Sequence, residues 1–130
     1  MITILPMKDR TRAGLIIQTL HDAEADAEVL LMSDGSNELG YVVIDMISSV
    51  IRMLKMEVFG CHDFTNLKEQ NRMCADSLMR ATASYGATVG AYQIESQIDG
   101  LECFLKSVGF STSENKLVSP LSNFIKICNH

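Results

Sequence analysis

LGYVVIDMISSVIRMLKMEV, residues 39–58, decides the fold. Two apolar runs meet at Ser48-Ser49, and a two-residue loop there sets Ile47 opposite Val50, Met46 opposite Ile51 and Asp45 opposite Arg52. That register places an acid directly across from a base, a cross-strand pair that stabilises a hairpin by roughly 0.2–1 kcal/mol. Ser-Ser is not the favoured chemistry for such a loop, so the register argues for the hairpin more strongly than the turn does. Both runs are apolar almost without interruption, which implies cover on both faces of their sheet and therefore helices on each side.

Upstream, ITILPM (2–7) is short, β-branched and closed by Pro6, as suits a first or edge strand. Asp9 can cap a helix whose apolar positions Ala13, Ile16, Ile17, Leu20 and Ala23 share one face. AEVLLMSDGSN (27–37) reads as a strand ending in a Ser-Asp-Gly turn. Downstream, residues 66–86 form the longest helix candidate, with Leu67, Cys74, Leu78, Ala81 and Tyr85 on one stripe and Gly86 at its end. TVGAYQIESQI (88–98) is a strand, and Asp99 caps a short helix over 100–108 that Gly109 stops. FSTSENKLV (110–118) and LSNFIKIC (121–128) read as the last two strands. Because the fourth and fifth strands are joined through a helix, they should lie parallel in a mixed α/β domain.

The totals exclude several functions. A chain of 130 residues, 47% hydrophobic, has the size of one domain with its own core, so 1–130 is read as a single domain. A net charge of −5, from 11 Lys and Arg against 16 Asp and Glu, lacks the basic excess that nucleic acid or an anionic membrane surface calls for. No apolar run approaches the roughly 18 residues of a membrane helix. Cys61, Cys74, Cys103 and Cys128 form no C-x-x-C pair, and Met1 leads into the first strand without a charged leader, which reads as a reduced, cytoplasmic protein. Cys61, His62 and Asp63 are adjacent, and neighbours do not ligate one metal as a set or form a Cys-His nucleophile pair, so no metal is expected. The eight Met residues, Met46, Met53 and Met56 among them, read as core filling.

In element order and in several local strings the chain resembles the GNAT superfamily of acyl-CoA-dependent N-acyltransferases. LGYVVI (39–44) matches the family's apolar-Gly-aromatic strand opening, LKMEV (54–58) its alternating strand end, and CFLKSVGF (103–110) its closing helix and Gly-Phe. The family's sharpest motif is Gln or Arg, two residues, Gly, one residue, then Gly or Ala, at the start of the long helix. Here it falls on QNRMCA (70–75), with Gln70 and Ala75 in place and Met73 where the middle Gly belongs.

The resemblance implies a GNAT-like α/β (α+β) fold, with a mixed, mostly antiparallel sheet of six to seven strands and helices on both faces. It implies acetyl-CoA as acyl donor and a primary amine as acceptor. The CoA diphosphate would face Gln70, Asn71, Arg72, Met73, Cys74 and Ala75, and the pantetheine would run beside the backbone of Met56 to Val58. Glu57 matches the catalytic base. The tyrosine that protonates the leaving thiolate corresponds to Leu105, and the usual Asn to Ile98, so any acid must come from Tyr85, Tyr92 or water. With Met73, Leu105 and a front half cut to residues 8–27, the alternative is a GNAT-fold protein without transfer activity that binds a ligand or another subunit. Exposed strand edges at the C-terminal pair allow a homodimer.

A helix N-terminus binds diphosphate through amides that lack partners in their own coil. Asn66 with Glu69 three residues on is a capping-box-like pattern, and Thr65 is a second cap candidate, so the sequence favours a helix from Asn66. That start would leave residues 71–75 with bonded amides, whereas a start near Gln70 would free Asn71 to Ala75.

Overall fold

The structure, a computed structural model, describes residues 1–61 and 63–125, without the side chain of Asn66. The hairpin forms in the expected register. Strand β3 (Asn37–Ile47) turns at Ser48-Ser49 into β4 (Val50–Val58), with Ile47 opposite Val50, Met46 opposite Ile51 and Asp45 opposite Arg52. Both serines take positive φ, 50° and 65°, which matches the twist of the hairpin although neither is glycine.

Around it, β1 (Ile2–Pro6), β2 (Glu28–Asp34), β5 (Gln93–Ser96), β6 (Ser111–Ser113) and β7 (Lys116–Pro120) complete a seven-stranded sheet in the order β1-β2-β3-β4-β5-β7-β6. Every neighbouring pair is antiparallel except β4 with β5, which are parallel as the helical connection requires. Helix α1 (Arg10–Gln18), capped by Asp9 through its bond from the Arg12 amide (3.0 Å), covers one face, where Ala13, Ile16 and Ile17 meet Val29, Tyr41 and Val43. On the other face lie α2 (Glu69–Thr88) and α3 (Glu102–Ser107), burying Leu78, Met79, Phe104 and Leu105 against Val42, Ile44, Ile51 and Met53.

Local details differ from the sequence reading. Helix α1 ends before Leu20 and Ala23 because Thr19 turns both its amide and its hydroxyl back to the Ile16 carbonyl. Gly86 does not stop α2; it is buried within it, where an added Cβ would lie 2.8 Å from Ile51 Cγ2. The helix therefore takes Thr88, and β5 shortens to four residues. Leu101, not Asp99, precedes α3. FSTSENKLV is a hairpin and not one strand, since Glu114 and Asn115 both adopt positive φ (49° and 66°). Leu121–Asn123 is a 3₁₀ turn where a strand was expected, and the rest of that segment, Cys128 included, lies outside the described residues, as does His62. Met53 and Met56 are core, as expected.

Candidate functional site

The parallel pairing of β4 and β5 is short. It runs from Val50 opposite Gln93 to Met53 opposite Ser96, where β5 ends. Strand β4 continues for five residues, Leu54–Val58, without a partner on that side. At the same place its pairing with β3 slips by one residue: Ile44 faces Met53 and Val43 faces Lys55, so Leu54 is a bulge. Bulges bend a strand and increase its twist, and this one sits where β4 and the chain leaving β5 cease to pair, which leaves a gap in the sheet along Leu54–Val58.

Glu57 lies on the outer half of β4, on the face of α1. The Tyr41 hydroxyl donates to Glu57 Oε2 at 2.8 Å, and Phe59 packs edge-on to the Tyr41 ring at 6.1 Å. Beside them Arg12 of α1 pairs with Glu38 at 2.8 Å, which holds the Glu38 carboxyl below its ordinary range. Burial first, and the bond to Glu57 second, push the Tyr41 phenol from 10.0 up to about 12. The folded protein thus keeps a proton that the unfolded chain releases near pH 10, so this contribution to stability is whole below pH 10 and is lost as pH rises to about 12. An alkaline titration of phenolate absorbance should show one tyrosine ionising near pH 12, absent from Tyr41→Phe.

Tyr85 and Tyr92 stand at the other end of β4. Tyr85 lines a cavity with Ser48 and Ser49, and the Tyr92 amide donates to the Ser49 carbonyl at 3.0 Å. Leu105 is fully buried in the core. Tyr41 is therefore the phenol in contact with Glu57. The expectation that Tyr85 or Tyr92 supplies an acid is replaced by this placement. Sequence reasoning missed Tyr41 because the register counted from Ser48-Ser49 sets it opposite Met56; only the bulge moves it opposite Glu57. It also missed Glu95 of β5, which lines the opening of the gap with Arg52, Leu54 and Ser96 and lies 3.6 Å from Lys116 Nζ.

The join between β4 and α2 settles where the long helix begins. Leu67 (ψ 128°) and Lys68 (ψ 146°) are extended, so α2 starts at Glu69 and not at Asn66. The cap signal at 65–66 belongs to a separate 3₁₀ turn, Phe64–Asn66, which Asp63 caps by accepting from the Thr65 amide at 2.9 Å and the Thr65 hydroxyl at 2.6 Å. The late start does not free Asn71 to Ala75 as expected. The amides of Asn71 and Arg72 both donate to the Lys68 carbonyl (3.1 and 3.4 Å), and those of Met73 to Ala75 lie one turn inside the helix. Cys74 and Ala75 are buried core; burial pushes the Cys74 thiol up. Gln70 and Arg72 are exposed, and Met73 is 48% exposed, pointing away from the core. Arg72 reaches α3, donating to Ser107 Oγ at 2.9 Å with its guanidinium 5.1 Å above the Phe104 ring. Met56 and Val58 bury their side chains in the core, and the Val58 carbonyl accepts from the Cys61 amide at 3.0 Å. Among the described residues no three His, Cys, Asp or Glu side chains group as a metal would require, and no helix is long and apolar enough to cross a membrane.

No family model matches the chain, and no curated protein matches it. Solved structures do. The ribosomal-protein-S18-alanine N-acetyltransferase of Escherichia coli superposes with a TM-score of 0.65 at 10% identity, covering 93% of this chain and 94% of that one. A Desulfovibrio desulfuricans protein of the GNAT family does so with a TM-score of 0.65 at 10% identity, covering 93% and 99%. KacTA, in its complex with DNA, gives 0.61 at 14% identity over 95% and 96%. Identities this low speak for architecture alone. Together with the strand order, the single parallel pair and the gap beside β4, they show that this chain has the GNAT fold, the fold of N-acetyltransferases.

Proposed function

We propose that the protein is a single-domain, cytoplasmic, acetyl-CoA-dependent N-acetyltransferase that acts on a primary amine. The observation that carries this reading is the parting of β4 from β5 after Met53 and Ser96, with the first turn of a long helix at the far end of the opened strand.

The residues present fit the donor in part. Arg72 supplies a positive charge on the first turn of α2, where the helix dipole also favours an anion. Glu69, in that same turn, opposes one, and Met73 leaves less room than glycine. Gln70 and Asn71 complete the polar surface there, and the backbone of Met56 to Val58 lies along the gap. When bound, acyl-CoA supplies an activated thioester carbonyl. Glu57 takes a proton from the substrate ammonium, which frees the amine lone pair to attack, and Tyr41 holds the Glu57 carboxylate in place. With Leu105 in place of the tyrosine, water is assigned the protonation of the departing thiolate.

Acetyl transfer measured as thiol release over a panel of primary amines tests the proposal. Glu57→Gln should lower kcat by about 100-fold or more, the usual scale for a general base. Unchanged kcat removes Glu57 from the chemistry. A second reading, a GNAT-fold protein that binds without transfer, is favoured by the buried Leu105 at the acid position. Calorimetric heat with CoA but no thiol release from any amine would select it. The acidic balance argues against carrying over the DNA of the KacTA complex, and the unpaired edge of β6, in the C-terminal strand pair, is the surface on which a homodimer would form.

A further inference from the structure

We propose that residues 63–67 are a strap lying across the path of the acyl-CoA between β4 and α3, which must swing out before the ligand binds. This rests on the acyltransferase reading above and adds control of its binding step.

The strap leaves the end of β4 and reaches the far wall of the gap. Phe64 and Leu67 pack on the main core, and a Cβ built on Gly100, just ahead of α3, would lie 3.8 Å from Phe64 Cβ and 4.0 Å from Thr65 Cγ2. Little open space is left there. The cavity bounded by Phe64, Thr65, Leu67, Arg72, Cys103 and Phe104 holds about 120 Å³, and the one at the opening of the gap, beside Leu54 and Ser96, about 30 Å³. Small-molecule sites run to roughly 300–1,000 Å³. Cavities of that size exist in this protein, at about 350, 320 and 430 Å³, but they line the turn end of the hairpin, the N-terminus of α1 and the C-terminal end of α2.

The strap is built to hold and to release. Asp63 caps its 3₁₀ turn through the Thr65 amide and hydroxyl, a closed local unit. Positive φ brackets it: Gly60 at 87° before, where glycine allows the conformation freely, and Glu69 at 45° after, where a side chain makes it costly. Relief of that cost at Glu69 favours the outward position. Arg72, exposed on the first turn of α2 beside the strap, is held against Phe104 and Ser107.

The test is calorimetric titration with CoA of the wild-type protein, Phe64→Ala and Asp63→Ala, with hydrogen exchange at the amides of Phe64, Thr65 and Leu67. A strap closed nine-tenths of the time weakens apparent affinity about tenfold, so Phe64→Ala should bind CoA up to about tenfold more tightly than wild type. Asp63→Ala, an exposed change that leaves the core intact, should do so by a smaller factor. CoA should speed exchange of the three amides in the wild-type protein. Affinities equal to or weaker than wild type in both variants, or exchange slowed by CoA, would overturn the strap and leave the acyltransferase reading standing. No heat from any of the three proteins would overturn that reading and the strap with it.

Discussion

Arg52→Ala is expected to destabilise the protein by about 3–5 kcal/mol, the cost of stranding one member of a buried ion pair. Asp45 is inside the domain, its side chain 0% exposed, and Arg52 is 14% exposed. Arg52 Nε donates to Asp45 Oδ1 at 2.7 Å, its terminal nitrogen to Asp45 Oδ2, and the Glu24 amide completes the carboxylate at 2.9 Å. Arg52 also donates to the Asp22 carbonyl at 3.0 Å, so it ties the loop after α1 to the hairpin. Without the guanidinium, the carboxylate keeps only the Glu24 amide. Urea denaturation should report the loss, and the melting temperature should fall by about 10–20 °C for a domain of this size. The double variant Asp45→Leu with Arg52→Met should recover most of it, because a buried pair largely offsets its own desolvation. A loss under about 1 kcal/mol for Arg52→Ala would mean that the pair acts as a surface bridge.

Gly40→Ala is expected to cost about 3 kcal/mol, at the upper end of what overpacking does. A Cβ on Gly40 would collide with the Glu57 carbonyl oxygen and stand 3.2 Å from Val58 Cα. Both are backbone atoms of the paired strand, so no side chain can rotate away. The strands must separate where Glu57 is held, and the Tyr41–Glu57 bond should be lost with them. Gly14→Ala is the control: a Cβ there meets nothing within 4 Å, and alanine in a helix should add up to about 1 kcal/mol. Chemical denaturation of the two variants side by side checks both signs. An unchanged Gly40→Ala would contradict the close approach.

Features legible in the sequence were those set by local periodicity and by pairs close along the chain. The hairpin register followed from Asp45 and Arg52, and the parallel pair from a helix joining two strands. What escaped was set by backbone conformation. Glu114 and Asn115 adopt positive φ without a glycine between them, so one segment read as a strand was a hairpin. The start of α2 escaped because two start signals lay four residues apart, and the Asp63 cap claimed the earlier one for a separate turn. At the candidate site, Glu57 was singled out by the family resemblance, but its phenol partner was not. The phenol that meets it comes from sixteen residues away through a slip in pairing that no side chain announces. The filling of the gap by Phe64 escaped likewise, since an aromatic residue in a polar join carries no periodic signal.

Leu54 is the extra residue in β4, and its excision would have an odd result. Ile51, Met53, Met56 and Val58 all bury into the same core. With Leu54 removed, these four would alternate strictly, and every side chain of the strand would keep its face. The residue therefore adds nothing to the inside-outside pattern; what it supplies is a bend, placed immediately after the last rung that β4 shares with β5. A shortened chain would keep those four in the main core and lose the contact Leu54 makes on the side of α1, but its fourth strand would run straight on beside whatever follows Ser96. Such a protein would be a well-packed relative with no seam for a ligand to enter.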